Sequence, residues 1–105
     1  MKNIEMVKKL TEKGYKVWNE KRVYINNFKV DVEITKKEGY ADIAKIGEVE
    51  MFLTSAGKET LKTLENMTVY YDIEKDCFSF RENGNSWDEK FAKAYRQTVA
   101  KELRK

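Results

Sequence analysis

Apolar residues in this chain recur at intervals that switch between helical and strand spacing. Ile4, Val7 and Leu10 stand three apart, with Met6 nearby and Gly14 placed as a C-terminal cap. This spacing predicts a helix over about residues 3–13. Tyr15–Asn19 and Arg22–Asn26 then read as two strands around a tight Glu20-Lys21 turn. Phe28, Val30, Val32 and Ile34 alternate with Lys29, Asp31, Glu33 and Thr35, the period-two pattern of a half-buried strand. Lys36 to Gly39 supplies a turn, and Tyr40–Ile46 reads as the return strand. A helix follows from about Ser55 to Met67, with Leu61 and Leu64 facing inward and Thr54 or Ser55 as its cap. Val69–Glu74 and Cys77–Arg81 form a further hairpin around Lys75-Asp76.

The Asn83-Gly84-Asn85 loop leads into the firmest helical signal. Ser86-Trp87-Asp88-Glu89 has the S-x-x-E form of a capping box. Phe91, Tyr95, Val99 and Leu103 make an apolar stripe at steps of four, with Ala94 beside it. The order expected is α-β-β-β-β-α-β-β-α. Every strand connection is short enough for a hairpin, so the fold class is α+β, an antiparallel sheet flanked by N-terminal, central and C-terminal helices.

Composition narrows this picture without changing it. A chain of 105 residues with 41% hydrophobic content fits one domain spanning 1–105. Charged residues make up 37%, well above the usual quarter, which leaves few residues to line a deep pocket. There is no linker-like stretch, internal repeat or low-complexity tract. No apolar run is long enough to cross a membrane, and the N-terminal region offers no signal-type apolar stretch. Cys77 is the single cysteine, so no intrachain disulfide forms and a reducing, cytoplasmic setting is expected. The lack of proline and histidine, beside plentiful Lys, Glu, Asn, Ile and Tyr, points to an AT-rich coding genome.

The net charge of +3 conceals segregation. Residues 1–30 carry eight Lys/Arg against three Glu, a balance of +5. Residues 31–89 carry seven basic against fourteen acidic residues, a balance of −7. Residues 90–105 carry six basic residues against Glu102, again +5. Blocks of this kind steer charged partners, although polar helix ends and hairpins account for them more simply.

Catalytic chemistry finds little support. With no histidine in the chain, histidine-based acid–base catalysis and Cys/His zinc sites are excluded. Cys77 has no base near it in sequence and reads as a small strand residue. Ser55-Ala56-Gly57-Lys58-Glu59-Thr60 resembles a phosphate-binding loop only superficially. It lacks the first glycine, and Glu59 stands where Ser or Thr must follow the lysine. The acidic residues Asp72, Glu74 and Asp76, with Glu48 and Glu50, admit a metal-dependent nuclease as a remote alternative. Lys75, adjacent to them on a strand, points to the wrong face for that chemistry. No cofactor and no metal site are expected, and the protein is read as a non-enzyme.

Three candidate binding surfaces remain. Asp31, Glu33, Glu38 and Asp42 lie on and around one hairpin, and Asp72, Glu74 and Asp76 on another. If those strands are neighbours, they present one acidic face to a basic partner. Trp18, Arg22 and Tyr24 are either packing at the edge of the core or an aromatic and basic binding patch. On the last helix Lys90, Lys93, Gln97, Lys101 and Arg104 form a basic stripe able to track a nucleic-acid backbone. A basic face near a helix C-terminus is also what the helix dipole favours.

The stretch Lys13-Gly14-Tyr15-Lys16-Val17-Trp18 with Lys21-Arg22-Val23-Tyr24-Ile25-Asn26, and the hairpin Tyr70-Tyr71-Asp72-Ile73-Glu74-Lys75-Asp76-Cys77-Phe78, resemble a loose group of small proteins. These are encoded by phages and plasmids of AT-rich bacteria and include some type II-A anti-CRISPR proteins. The resemblance spans roughly a third of the chain and its motifs are structural, so it assigns no functional residue. It implies a mobile-element accessory protein that inhibits a bacterial nucleic-acid-handling defence complex such as Cas9, by occluding the effector or its guide-RNA assembly. A nucleic-acid-binding module using the basic terminal helices is the alternative. A homodimer through an exposed sheet edge is open to either.

Overall fold

Hydrogen-bond ladders, rather than apolar periodicity alone, decide which extended segments of this chain become strands. The structure, a computed structural model, describes residues 4–26 and 28–105. Its elements run α1 (Ile4–Glu12), β1 (Lys16–Trp18), β2 (Arg22–Asn26), β3 (Glu33–Thr35), β4 (Ile43–Ile46), β5 (Val49–Phe52), α2 (Ser55–Glu65), β6 (Thr68–Asp72), β7 (Cys77–Arg81) and α3 (Glu89–Leu103). The class is α+β with helices near both ends and in the centre, as expected. The start expected for the first helix, at residue 3, lies outside the described residues.

The strands form two antiparallel sheets instead of one. A four-stranded sheet has the order β1-β2-β6-β7, and a three-stranded meander has the order β3-β4-β5. In the larger sheet two local hairpins are joined along a seam where Arg22 faces Asp72 and Asn26 faces Thr68.

Two differences from the sequence reading share one cause. The alternating segment 28–34 is a strand only from Glu33 onward. Phe28, Val30 and Val32 are half-buried against the core all the same. Phe28 and Val30 share a 220 Å³ hollow with Thr98 and Glu102 of α3. An extended chain laid along a helix buries every second side chain just as a strand does, so the period does not reveal the missing ladder. Conversely β5, Val49–Phe52, pairs fully with β4. Its burial alternates, with Met51 buried and Glu50 and Phe52 exposed, but the apolar run Met51-Phe52-Leu53 hides that alternation, and periodicity again says nothing of the ladder.

Local turns follow backbone rules. Lys21 donates its amide to the Trp18 carbonyl at 3.3 Å, so the central residues of the first hairpin turn are Asn19 and Glu20, one residue earlier than expected. Both have positive φ, 55° and 58°, the mirror-image turn sense that matches the twist of paired strands.

Helix α3 is the spine of the molecule. Phe91, Tyr95, Val99 and Leu103 are all fully buried, and Phe91, Val99 and Leu103 each stabilise the fold by about 1.5–3 kcal/mol relative to exposure. The helix is capped by Asp88, whose Oδ1 accepts the Phe91 amide at 3.0 Å. This corrects the expected capping box: the Ser86 hydroxyl is buried with no hydrogen-bond partner, and Glu89 pairs instead with Arg96 at 2.7 Å. At the far end Lys9 Nζ donates to the Arg104 carbonyl at 2.7 Å, and Lys13 Nζ donates to the Leu103 carbonyl at 3.4 Å. Cations here offset the negative end of the helix dipole. Part of the basic charge of the first block therefore has a structural use.

One core joins both sheets. Val23, Ile25, Val69 and Tyr71 from the inner face of the larger sheet meet Leu10 of α1, while Ala44, Ile46 and Met51 come from the smaller sheet. The described residues span 54 × 24 × 21 Å. Burial pushes the Tyr95 phenol up, against the opposing pull of the Val30 backbone, and the hydroxyl makes no hydrogen bond of standard geometry. Among the described residues no helix is long and apolar enough to cross a membrane.

Candidate functional site

The outer face of the four-stranded sheet is set by strand alternation. Because Val23, Ile25, Val69 and Tyr71 turn inward, the residues between them must turn outward. The register aligns these into rows. Lys16, Tyr24, Tyr70 and Ser79 form one, and Trp18, Arg22, Asp72 and Cys77 form the next. A third row holds Asn26, Thr68 and Arg81. None of the eleven is buried.

The centre of this face is aromatic. Trp18 and Tyr70 stack with ring centroids 6.1 Å apart, and Tyr24 meets Tyr70 at 5.6 Å with the rings tilted by 60°. The Arg22 guanidinium lies 5.4 Å from the Tyr70 centroid, within cation–π range. Trp18 remains 49% exposed and Tyr24 41%. The three residues singled out in the sequence, Trp18, Arg22 and Tyr24, therefore come together and pack on one another through Tyr70. That central ring was missed as a site residue. Its signal was the alternation Val69-Tyr70-Tyr71-Asp72, which puts one tyrosine on each face.

Two hollows adjoin the indole. One of 390 Å³ is lined by Lys16, Val17, Trp18, Tyr24 and Tyr70, and another of 260 Å³ by Trp18, Asn19, Lys21 and Arg22. The larger falls within the size range of small-ligand sites. Charge on the face is mostly positive. Lys16, Arg22 and Arg81 stand against Asp72, whose Oδ1 is engaged by the Lys75 amide at 2.9 Å. Cys77, the single thiol, is exposed on the same face.

The acidic surface is not assembled through neighbouring strands. The β3–β4 hairpin belongs to the small sheet and β6–β7 to the large one, with no ladder between them. Asp31 and Glu38 are exposed, and Asp42 is half-buried. Glu33 lies opposite Lys45. Glu74 is exposed in the β6–β7 turn. Asp76 is structural: its Oδ1 accepts the Tyr71 hydroxyl at 2.5 Å and the Arg104 guanidinium at 3.2 Å, and its carbonyl accepts a second Arg104 bond at 2.9 Å. The Tyr71 hydroxyl, with help from Arg104, holds the Asp76 carboxyl below the usual carboxylate range. Burial first, and then Asp76, push the Tyr71 phenol well above its ordinary value.

The basic stripe loses one member in the same way, since Arg104 is tied to Asp76 and also lies 5.2 Å from the Phe78 ring. Lys90, Lys93 and Lys101 are exposed along α3, but the aromatic residues of that helix, Phe91 and Tyr95, are buried. Among the described residues no three His, Cys, Asp or Glu side chains are grouped so as to hold a metal ion. Compared with family models, curated proteins and solved structures, the chain matches none.

Proposed function

We propose that this protein is a non-catalytic binding module whose working surface is the outer face of the four-stranded sheet. One observation carries this reading: Trp18, Tyr24, Tyr70 and Arg22 sit together on a solvent-facing sheet surface. Aromatics and arginine dominate binding hot spots because they offer large contact area at low entropic cost. A small domain that needs its large side chains for the core has placed three rings outside it. The setting implied by the family resemblance is a mobile-element protein that occludes a bacterial defence complex such as Cas9, in the cytoplasm of the host cell.

The test compares wild type with the Trp18→Ala/Tyr24→Ala double variant as baits in bacterial lysate, with and without nuclease treatment. The module reading expects every captured macromolecule to be lost with the two rings, while the variant keeps its fold. Capture unchanged by the double substitution would sink it. For the inhibitor setting, cleavage by Cas9 loaded with guide RNA should fall to completion near equimolar protein. Full activity at large molar excess rejects that setting.

A further inference from the structure

We infer that the ligand of this face is single-stranded nucleic acid, with bases stacked on Trp18 and Tyr24 and phosphates held by Lys16, Arg22 and Arg81. The inference rests on the binding-module reading above and names the partner class of that same surface.

Four observations favour this partner over a protein. First, no aliphatic side chain stands in the three rows of the face. Its apolar area is supplied by π-systems, which suit bases in any sequence. Val17 is the only aliphatic side chain lining either hollow, so a protein partner's apolar core would find little but rings to pack against. Second, the charge is complementary to phosphate. Lys16 lies in the Tyr24–Tyr70 row and Arg81 in the row beyond it, on the two edge strands of the sheet, and neither has an ion-pair partner among the described residues. The one acid on the face, Asp72, is held by a backbone amide. Third, hollows adjoin the Trp18 indole on the Tyr24 side and on the Arg22 side, leaving room for a planar group. Fourth, stacking on an aromatic ring needs an open base face, and in a duplex neighbouring base pairs cover those faces. Bases must splay to meet these rings, and only an unpaired strand splays at low cost. A four-stranded sheet that displays aromatics on an open face is an established way of holding such strands.

Binding is tested with fluorescein-labelled 12-mers of dT and U, and with a 12-bp duplex, by anisotropy over a salt series. Three phosphate contacts give a slope of log K against log salt of about −2, since each contributes about 0.7 on single strands. Lys16→Ala and Arg81→Ala should each make the slope shallower by about that amount. Trp18→Ala should weaken binding about tenfold or more, as the loss of one stacked base does. In a Trp87→Phe background, Trp18 is the sole indole, and its fluorescence should be quenched by the oligonucleotide. This readout leaves the site itself unaltered.

Binding of both 12-mers weaker than about 10⁻⁴ M at low salt, or a preference for duplex, overturns the inference. So does single-strand binding that ignores Trp18 and is removed instead by Lys90→Ala, Lys93→Ala and Lys101→Ala together. If oligonucleotides are ignored while a nuclease-resistant protein is captured only by the intact rings, this inference fails and the binding-module reading stands. If the ring substitutions change neither assay, both fail.

Discussion

Gly57 shows how one missing side chain fixes the seat of a helix. A Cβ at this position would lie 2.0 Å from the Phe52 carbonyl oxygen, far inside van der Waals contact. The first turn of α2 therefore rests directly on the end of β5, and Thr54 completes the arrangement by accepting the Gly57 amide at 3.3 Å. This explains the glycine in a segment that only superficially resembles a phosphate-binding loop. Alanine normally gains about 1 kcal/mol over glycine inside a helix. Here the obstacle is backbone rather than a flexible side chain, so Gly57→Ala should lower stability by about 1–3 kcal/mol, as overpacking does. Urea denaturation measures this, and an unchanged or higher midpoint would show that the helix is free to shift.

The start of α3 separates two readings of one sequence. Ser86 and Glu89 have the right spacing for a capping box, but Asp88 also stands three residues before the Phe91 amide, and the structure uses it. Asp88→Ala should therefore cost about 1 kcal/mol. Ser86→Ala should cost nothing or stabilise, because the hydroxyl it removes is buried without a partner. Thermal melts of the two variants decide the matter, and the reverse order would restore the capping box. Much else was legible at this level. The α3 stripe, the β2 span and the β7 span follow directly from periodicity, because one face of each meets a core. Segment 28–32 and β5 were misread because alternation records burial and says nothing about which backbone lies alongside. The aromatic patch was half legible: Trp18, Arg22 and Tyr24 stood out as residue types, but only the pairing of β2 with β6 brings Tyr70 among them. That pairing joins residues more than forty positions apart, beyond the reach of any local pattern.

The molecule is closed at one end by a polar clamp that draws on three elements. Asp76 in the β6–β7 turn joins Tyr71 of β6 to Arg104 just beyond α3, and lysines of α1 hold the last carbonyls of the same helix. The Asp76 carboxyl is held below its ordinary value of about 3.9. Its contribution to stability is therefore present above that pH and is lost as pH falls through the lower folded value. Tyr71 acts in the opposite sense. Its neutral phenol is favoured in the fold, so that contribution is complete below about pH 10 and is lost as pH rises through the higher folded value. Asp76→Asn should flatten the acid limb of the stability profile below about pH 4, the ordinary carboxylate value, while leaving the other carboxylates to titrate. Chemical denaturation at stepped pH measures the two limbs, and superimposable wild-type and variant profiles would show that the clamp contributes nothing.

The seam between β2 and β6 also sets an order of events. Each flanking hairpin closes over a few residues, whereas bringing Asn26 to Thr68 closes a loop of 41 residues. That closure costs about 3 kcal/mol of chain entropy, to be recovered only once both hairpins dock. Contacts of such sequence separation slow folding. Tyr24 and Tyr70 stand on opposite sides of that seam. Neither hairpin alone presents the aromatic face, so a chain still being synthesised, or one whose seam has opened, has nothing to offer a ligand. Binding competence thus arrives with the last long-range step of folding, and a ligand that bridges the two tyrosines acts as a latch on it.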